Sequence, residues 1–136
     1  MSAQSRAKKR AEIVESERTR LYRRMQLRAQ GFRCFYCQCP LSHPAATADH
    51  LQARAKKGAT TYDNIRAACG RCNGLKGTTG WKQFLAWAKG TKPAPTLDVW
   101  LIAIERRIWE RTWQACDRIA AQVGIDPIAA VLEEDT

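Results

Sequence analysis

Two Cys-x-x-Cys pairs, Cys34/Cys37 and Cys69/Cys72, stand 31 residues apart in a chain of 136. No other feature constrains the fold as tightly, because four thiols so paired can converge on one tetrahedral ion. The gap is longer than in the usual zinc ribbon, yet the pairing reads as a structural zinc site. Such sites are closed and four-coordinate, and they contribute on the order of 10–16 kcal/mol of apparent binding energy in small peptides. Little strand-rich core lies between Cys34 and Cys72, so the clasp is expected to decide whether that region folds. Six cysteines in a reducing compartment argue against a disulfide framework. Cys39 could compete with Cys37 as a ligand, but Cys-x-Cys spacing matches the second pair less well, and it reads as a buried or tolerated thiol. Cys116 reads as core.

The length suits one modest domain. No uncharged apolar run reaches the roughly 20 residues needed to span a bilayer. The basic stretch from Ser2 to Arg10 lacks an apolar h-region, so no signal peptide and a cytoplasmic location are expected. Net charge is +10, and residues 1–33 contribute +7, residues 34–80 contribute +4 and residues 81–136 contribute −1. That asymmetry suits a polyanion held beside the cysteine segment, while a solubilising tail would give the same count.

Patterning predicts an α+β chain, mostly helical, in three parts: a basic helix within 1–30, a metal-stapled module over 31–80 and helices over 81–136. In the first helix Leu21, Tyr22 and Met25 are expected to pack on the module, and Gly31 ends it. Residues 45–51 read as a brief strand, and a short helix is expected after Cys72. Gly80 opens a helix with Trp81, Phe84, Leu85, Trp87 and Ala88 on its apolar face. Thr96 is a credible N-cap for a helix over 97–123 closed by Gly124. Two apolar stripes on that helix suggest burial or a dimer partner. Asp126-Pro127 reads as the start of a last short helix.

Between the cysteine pairs lies Asp49-His50, with Asn64 and Asn73 downstream. Hydrolysis of a phosphodiester needs a base for water and a cation on the phosphate. A histidine, whose unperturbed pKa is about 6.5, can take the proton. A hard cation such as Mg²⁺ seeks carboxylate and amide oxygens, which Asp49 and Asn73 supply. Alternation along a strand points Asp49 and His50 to opposite faces. A surface pair at Asp49-His50 and a helix N-cap at Asn73 are the plain alternatives.

Cys34-x-x-Cys37, Asp49-His50, Asn64 and Cys69-x-x-Cys72-Asn73-x-x-Lys76-Gly77 together resemble the HNH endonucleases, over about residues 21–80. The resemblance implies a ββα-metal module in which His50 is the general base and Asp49 and Asn73 ligate the catalytic cation. Asn64 would pin the loop that orients His50, and the cysteines would hold zinc. It also implies a nucleic-acid partner, double-stranded DNA first, in a bacterial or phage setting, with a homodimer or larger assembly possible through the C-terminal helices. The loop after Asp49-His50 departs from the family, with one glycine and no proline. Arg54, Lys56, Lys57, Arg66, Arg71 and Lys76 are the expected phosphate contacts, each a solvated charge by default. The competing reading is a zinc-stapled nucleic-acid-binding module, or an accessory factor, that does not cut.

Overall fold

The computed structural model describes residues 2–53, 58–126 and 129. Helix α1 (Ala3–Ala29) leads into a long loop, then strand β1 (Ala46–His50), a 3-10 turn at Tyr62–Asn64 and strand β2 (Ile65–Cys69). Helices α2 (Gly70–Lys76), α3 (Trp81–Lys89) and α4 (Leu97–Val123) follow. The architecture is α+β and mostly helical, as the patterning predicts.

The centre is a ββα unit. Strands β1 and β2 pair antiparallel in the register Ala48↔Ala67, with Ala46 opposite Cys69 and His50 opposite Ile65. Neither strand is rich in β-formers, so packing rather than propensity holds them. Ala46, Ala67 and Ala68 are buried in one cluster with Leu27, Phe32, Tyr36, Leu41, Phe84 and Ile102. Tyr36 meets Phe84 edge-on at 4.9 Å, an aromatic pair that ties α3 to the cysteine segment. Helix α2 starts at Gly70, before Cys72 rather than after it, because the Cys69 sulfur accepts the Cys72 N–H at 3.4 Å and serves as N-cap. Gly77, at φ 52, ends it.

Helix α1 docks by a face that its apolar periodicity does not mark. Leu21 and Met25 are exposed, whereas Gln26 and Leu27 are buried. The Gln26 side-chain amide donates to the Tyr62 carbonyl at 2.9 Å. Gln30, just past the helix, accepts the Ala67 N–H at 2.9 Å and donates to the Ala67 carbonyl at 2.8 Å. One glutamine thus caps the β2 edge that β1 leaves open. Of the three residues expected to pack, Tyr22 does so, edge-on to Tyr62 at 6.3 Å.

Helix α3 buries Phe84 and Ala88 and stops at Gly90 in the left-handed region. Helix α4 begins where Thr96 Oγ1 accepts the Val99 N–H at 3.3 Å and ends at Gly124. Its buried residues are Val99, Ile102, Ala103 and Ala120; of the expected stripe Trp109 and Trp113 are half-buried and Cys116 and Val123 exposed. Cys116 is exposed, not core, because the chain packs mainly on the first turns of α4. Most of the short helix expected from Asp126-Pro127 lies outside the described residues. Among the described residues, no helix is long and apolar enough to cross a membrane.

Candidate functional site

The first cysteine knuckle folds back on itself. Gln38 adopts a left-handed φ of 67°, its N–H donates to the Cys34 carbonyl at 3.0 Å, and the Cys34 N–H donates to the Cys39 carbonyl at 2.9 Å. The turn returns Cys39 to the side of Cys34. The sulfurs of Cys34, Cys37, Cys39 and Cys69 all lie within 4.8 Å of one another. Cys72, fully buried, lies beside this group, its N–H donating to the Cys69 sulfur at 3.4 Å. Cys39 therefore joins the four cysteines that the spacing singles out, making a cluster of five.

Protons in this cluster are shared unevenly. Hydrogen bonds from Cys37 first, then Cys39, hold the Cys34 thiol down at about 3, and bonds from Cys34 and Cys37 lower Cys69 as well. Bonding to Cys34 pushes Cys37 up to about 12 and raises Cys39 and Cys72. The soft donor set and its compactness fit a zinc-stapled module.

Helix α2 lies over β1, and two periodicities meet there. Asn73 and Lys76 are three apart on one helix face, and Thr47 and Asp49 are two apart on one strand face. Asn73 Nδ2 donates to Thr47 Oγ1 at 3.2 Å, and Lys76 Nζ lies 3.2 Å from Asp49 Oδ1. The other Asp49 oxygen accepts the Tyr36 hydroxyl. Burial, and then that bond to Asp49, raise the Tyr36 phenol above its usual range, so it remains the donor. Asp49 is 4% exposed and Lys76 5%. Lys76, expected at a phosphate, is instead the buried counter-charge of Asp49.

His50 faces the other way, toward α1. Its Nε2 lies 3.1 Å from Thr60 Oγ1, and the Thr60 hydroxyl donates to Glu15 Oε1 at 3.1 Å. A cleft of about 570 Å³ opens here, lined by Glu12, Glu15, Thr19, Arg20, Arg23 and His50. Asn64 ties the loop beside it: Oδ1 accepts the Gln52 N–H at 2.8 Å, and Nδ2 donates to the carbonyls of Gln52 at 3.1 Å and Ala59 at 2.8 Å. The fold brings Asp49 and Asn73 to one side of β1 and His50 to the other. Thr47, Thr60 and Glu15 had no local signal in the sequence, since each matters only through a partner far along the chain. The Tyr36 hydroxyl, which serves Asp49, is likewise a partner from a distant part of the chain.

Arg66 and Arg71 also have internal partners. Arg66 donates to the carbonyls of Asp63 at 3.0 Å and Ile65 at 2.8 Å, and its guanidinium sits 5.6 Å from the centre of the Phe35 ring. Arg71 pairs with Glu105 of α4, and that hydrogen bond raises its pKa. Arg54, Lys56 and Lys57 lie outside the described residues.

Helix α4 supports the knuckle from outside. Arg106 donates to the carbonyls of Tyr36 and, at 3.4 Å, Phe35. Trp113 Nε1–H donates to the Gln38 carbonyl at 2.7 Å. These donors satisfy carbonyls that a metal-binding turn cannot pair within itself.

Residues 34–79 match the family model of the HNH endonucleases. This segment is an HNH endonuclease domain. It contains both cysteine pairs, Asp49, His50, Asn64, Asn73 and Lys76, and leaves α1, α3 and α4 outside. The chain is also similar to the CRISPR-associated endonuclease Cas9 of Corynebacterium diphtheriae, at 39% identity over 75 residues. That stretch is 54% of this chain and 7% of the relative, so this chain spans a small part of the curated protein it matches. No solved structure gives a significant match.

Proposed function

We propose that this chain is a metal-dependent HNH endonuclease that hydrolyses phosphodiester bonds in DNA, nicking one strand or cutting both. The observation that carries the reading is the split of one strand end. Asp49 and Asn73 share the α2 side of β1, and on the other side His50 faces a cleft lined by Arg20 and Arg23 together with Glu12 and Glu15. A phosphate at that strand end would meet a carboxylate and an amide on one flank and an imidazole on the other.

His50 takes a proton from the attacking water, a role that typically contributes about 10²–10⁴-fold. Asn64 acts indirectly, holding the loop at Gln52 and Ala59 beside that histidine. Asp49, with the amide oxygen of Asn73, forms the ligand set for a divalent cation, Mg²⁺ first. The Asn73 nitrogen is committed to Thr47, which leaves the oxygen for this task. When bound, the cation neutralises charge on the scissile phosphate and the departing oxygen. Asp49 Oδ1 would have to exchange its Lys76 partner to hold that cation. Cys34, Cys37, Cys69 and Cys72 hold a structural zinc.

Backbone phosphates are contacted by Arg20 and Arg23 of the cleft and by Arg54, Lys56, Lys57, Arg66 and Arg71. Binding therefore weakens steeply with salt. The division into 1–30, 31–80 and 81–136 follows: a basic arm, a cutting module, and a helical extension whose exposed Leu97, Trp100, Leu101 and Ile108 suit a second copy or a larger assembly.

One observation favours the second reading, a nucleic-acid-binding module that does not cut. Both Asp49 oxygens are already engaged, by Tyr36 and Lys76. Supercoiled plasmid incubated with Mg²⁺ separates the two. Nicking by the wild type, abolished by EDTA and by His50→Ala while gel-shift binding persists, is the expected result. Binding with no nicking across Mg²⁺, Mn²⁺ and Co²⁺ would leave only the module.

A further inference from the structure

The cysteine cluster has one thiol more than a tetrahedral site can use. A zinc–sulfur bond of about 2.3 Å sets the sulfur–sulfur edge of a tetrahedron at about 3.8 Å. Cys37 and Cys69, from the two opposite knuckles, already stand 3.9 Å apart. Cys34 lies against both and also accepts the Cys69 N–H at 3.3 Å. These three sulfurs form one face of the tetrahedron. Two thiols compete for the remaining position: Cys39, whose sulfur lies within 4.8 Å of all three, and Cys72, fully buried with its N–H on the Cys69 sulfur. The tight group within 4.8 Å holds Cys39, although the repeated Cys-x-x-Cys pattern points to Cys72.

Both arrive by rigid routes. Cys39 is returned by the left-handed turn at Gln38, closed by the Cys34 N–H bond to its carbonyl and by the bridge between Arg33 and Pro40. Cys72 is fixed in the first turn of α2 by its own N–H on the Cys69 sulfur. Neither needs a backbone rearrangement to offer its sulfur.

We propose that the zinc is held by Cys34, Cys37 and Cys69 in common, and that Cys39 and Cys72 are interchangeable at the fourth position. The proposal rests on the reading that this cluster holds zinc. It makes the site tolerant of losing either contested thiol, to oxidation or substitution, while remaining sensitive to loss of any shared one.

The test compares wild type with Cys39→Ser, Cys72→Ser, the double variant and Cys34→Ser. Zinc stoichiometry is read by native mass spectrometry, and thiolate count by the absorption of the cobalt-substituted protein. Cys72→Ala accompanies Cys72→Ser, so that a buried hydroxyl does not masquerade as a lost ligand. The expected result is one zinc and an unchanged four-thiolate cobalt spectrum in wild type and in each contested single variant. The double variant and Cys34→Ser should each bind more than about 100-fold more weakly, beyond the 10–100-fold typical of losing an outer-shell partner.

Zinc lost on removal of Cys72 but not of Cys39 would make Cys39 a bystander and overturn the proposal. Zinc lost on removal of Cys39 but not of Cys72 would overturn it equally, by giving the fourth position to Cys39 alone. A wild type that binds no zinc would sink the zinc reading itself along with it.

Discussion

Two helices of 27 residues flank the HNH module, and they are attached to it by opposite chemistry. Both begin at a hydroxyl cap, Ser2 for α1 and Thr96 for α4. There the likeness ends. Helix α1 carries nine Lys/Arg against three Glu, whereas α4 carries four of each sign. Helix α1 meets the module through the side-chain amides of Gln26 and, just beyond it, Gln30, with Leu27 as its fully buried apolar contact. Helix α4 buries Val99, Ile102 and Ala103, and its Arg106 and Trp113 cap carbonyls of the first knuckle. Full burial of an aliphatic side chain is worth about 1.5–3 kcal/mol, and a net hydrogen bond about 0.5–1.5. By that scale α4 is part of the fold, and α1 is an arm that the fold holds by its edge. The first turns of that arm are exposed from Ala3 to Val14, so their lysines and arginines can take phosphates as partners.

The largest expected effect comes from stripping metal. If zinc staples the module, chelation removes more free energy than the net stability of most domains, about 5–15 kcal/mol. The β1–β2 pair and the knuckles should then lose protection in hydrogen exchange. Helix α1 should lose it with them, because its anchors are the Tyr62 and Ala67 backbone. Helices α3 and α4 pack on each other through Phe84, Ala88, Val99 and Ile102 and should keep part of theirs. Equal loss of protection in α1 and α4 would erase the distinction between arm and body.

A smaller effect tests the body alone. Ile102 is fully buried, and Ile102→Ala should cost about 2–5 kcal/mol in urea unfolding, by lost transfer energy plus a cavity. A cost under about 1 kcal/mol would mean that α4 is held by its arginine and tryptophan donors rather than by its apolar face.

What the sequence disclosed follows the same divide. The bounds of α3 and α4 are legible because Gly90 and Gly124, through their backbone, and Thr96, through its hydroxyl, act in ways that residue type alone predicts. The cysteine cluster and the Asp49-His50 strand are legible from spacing. Strand β2 is not, because Ile65-Arg66-Ala67-Ala68-Cys69 lacks alternation and is held by neighbours distant in sequence. The start of α2 was missed because its cap is a thiol, and the docking face of α1 because amides leave no hydrophobic period. Lys76 was misplaced for a related reason: a lysine looks solvated until its carboxylate is known. Cys39 is the sharpest case, since one left-handed residue, Gln38, decides whether a Cys-x-Cys thiol points into the site or away.

Gln30 offers the finest test of how the arm is held. Its amide takes the Ala67 N–H and gives a hydrogen bond to the Ala67 carbonyl, at a residue with no solvent exposure. In Gln30→Ala the carbonyl keeps the Phe35 N–H at 3.1 Å, so the cost falls on the orphaned Ala67 N–H. An unsatisfied buried donor costs about 1–3 kcal/mol. The matched control is Leu21→Ala, at a side chain that sequence periodicity would place against the module and that is 54% exposed. Its effect should stay within about 0.5 kcal/mol. Urea midpoints of the two variants at constant m-value read the comparison directly. If the leucine variant proves the more damaging, α1 is seated by an apolar face after all, and its arginines are fixed in place rather than available to a phosphate backbone.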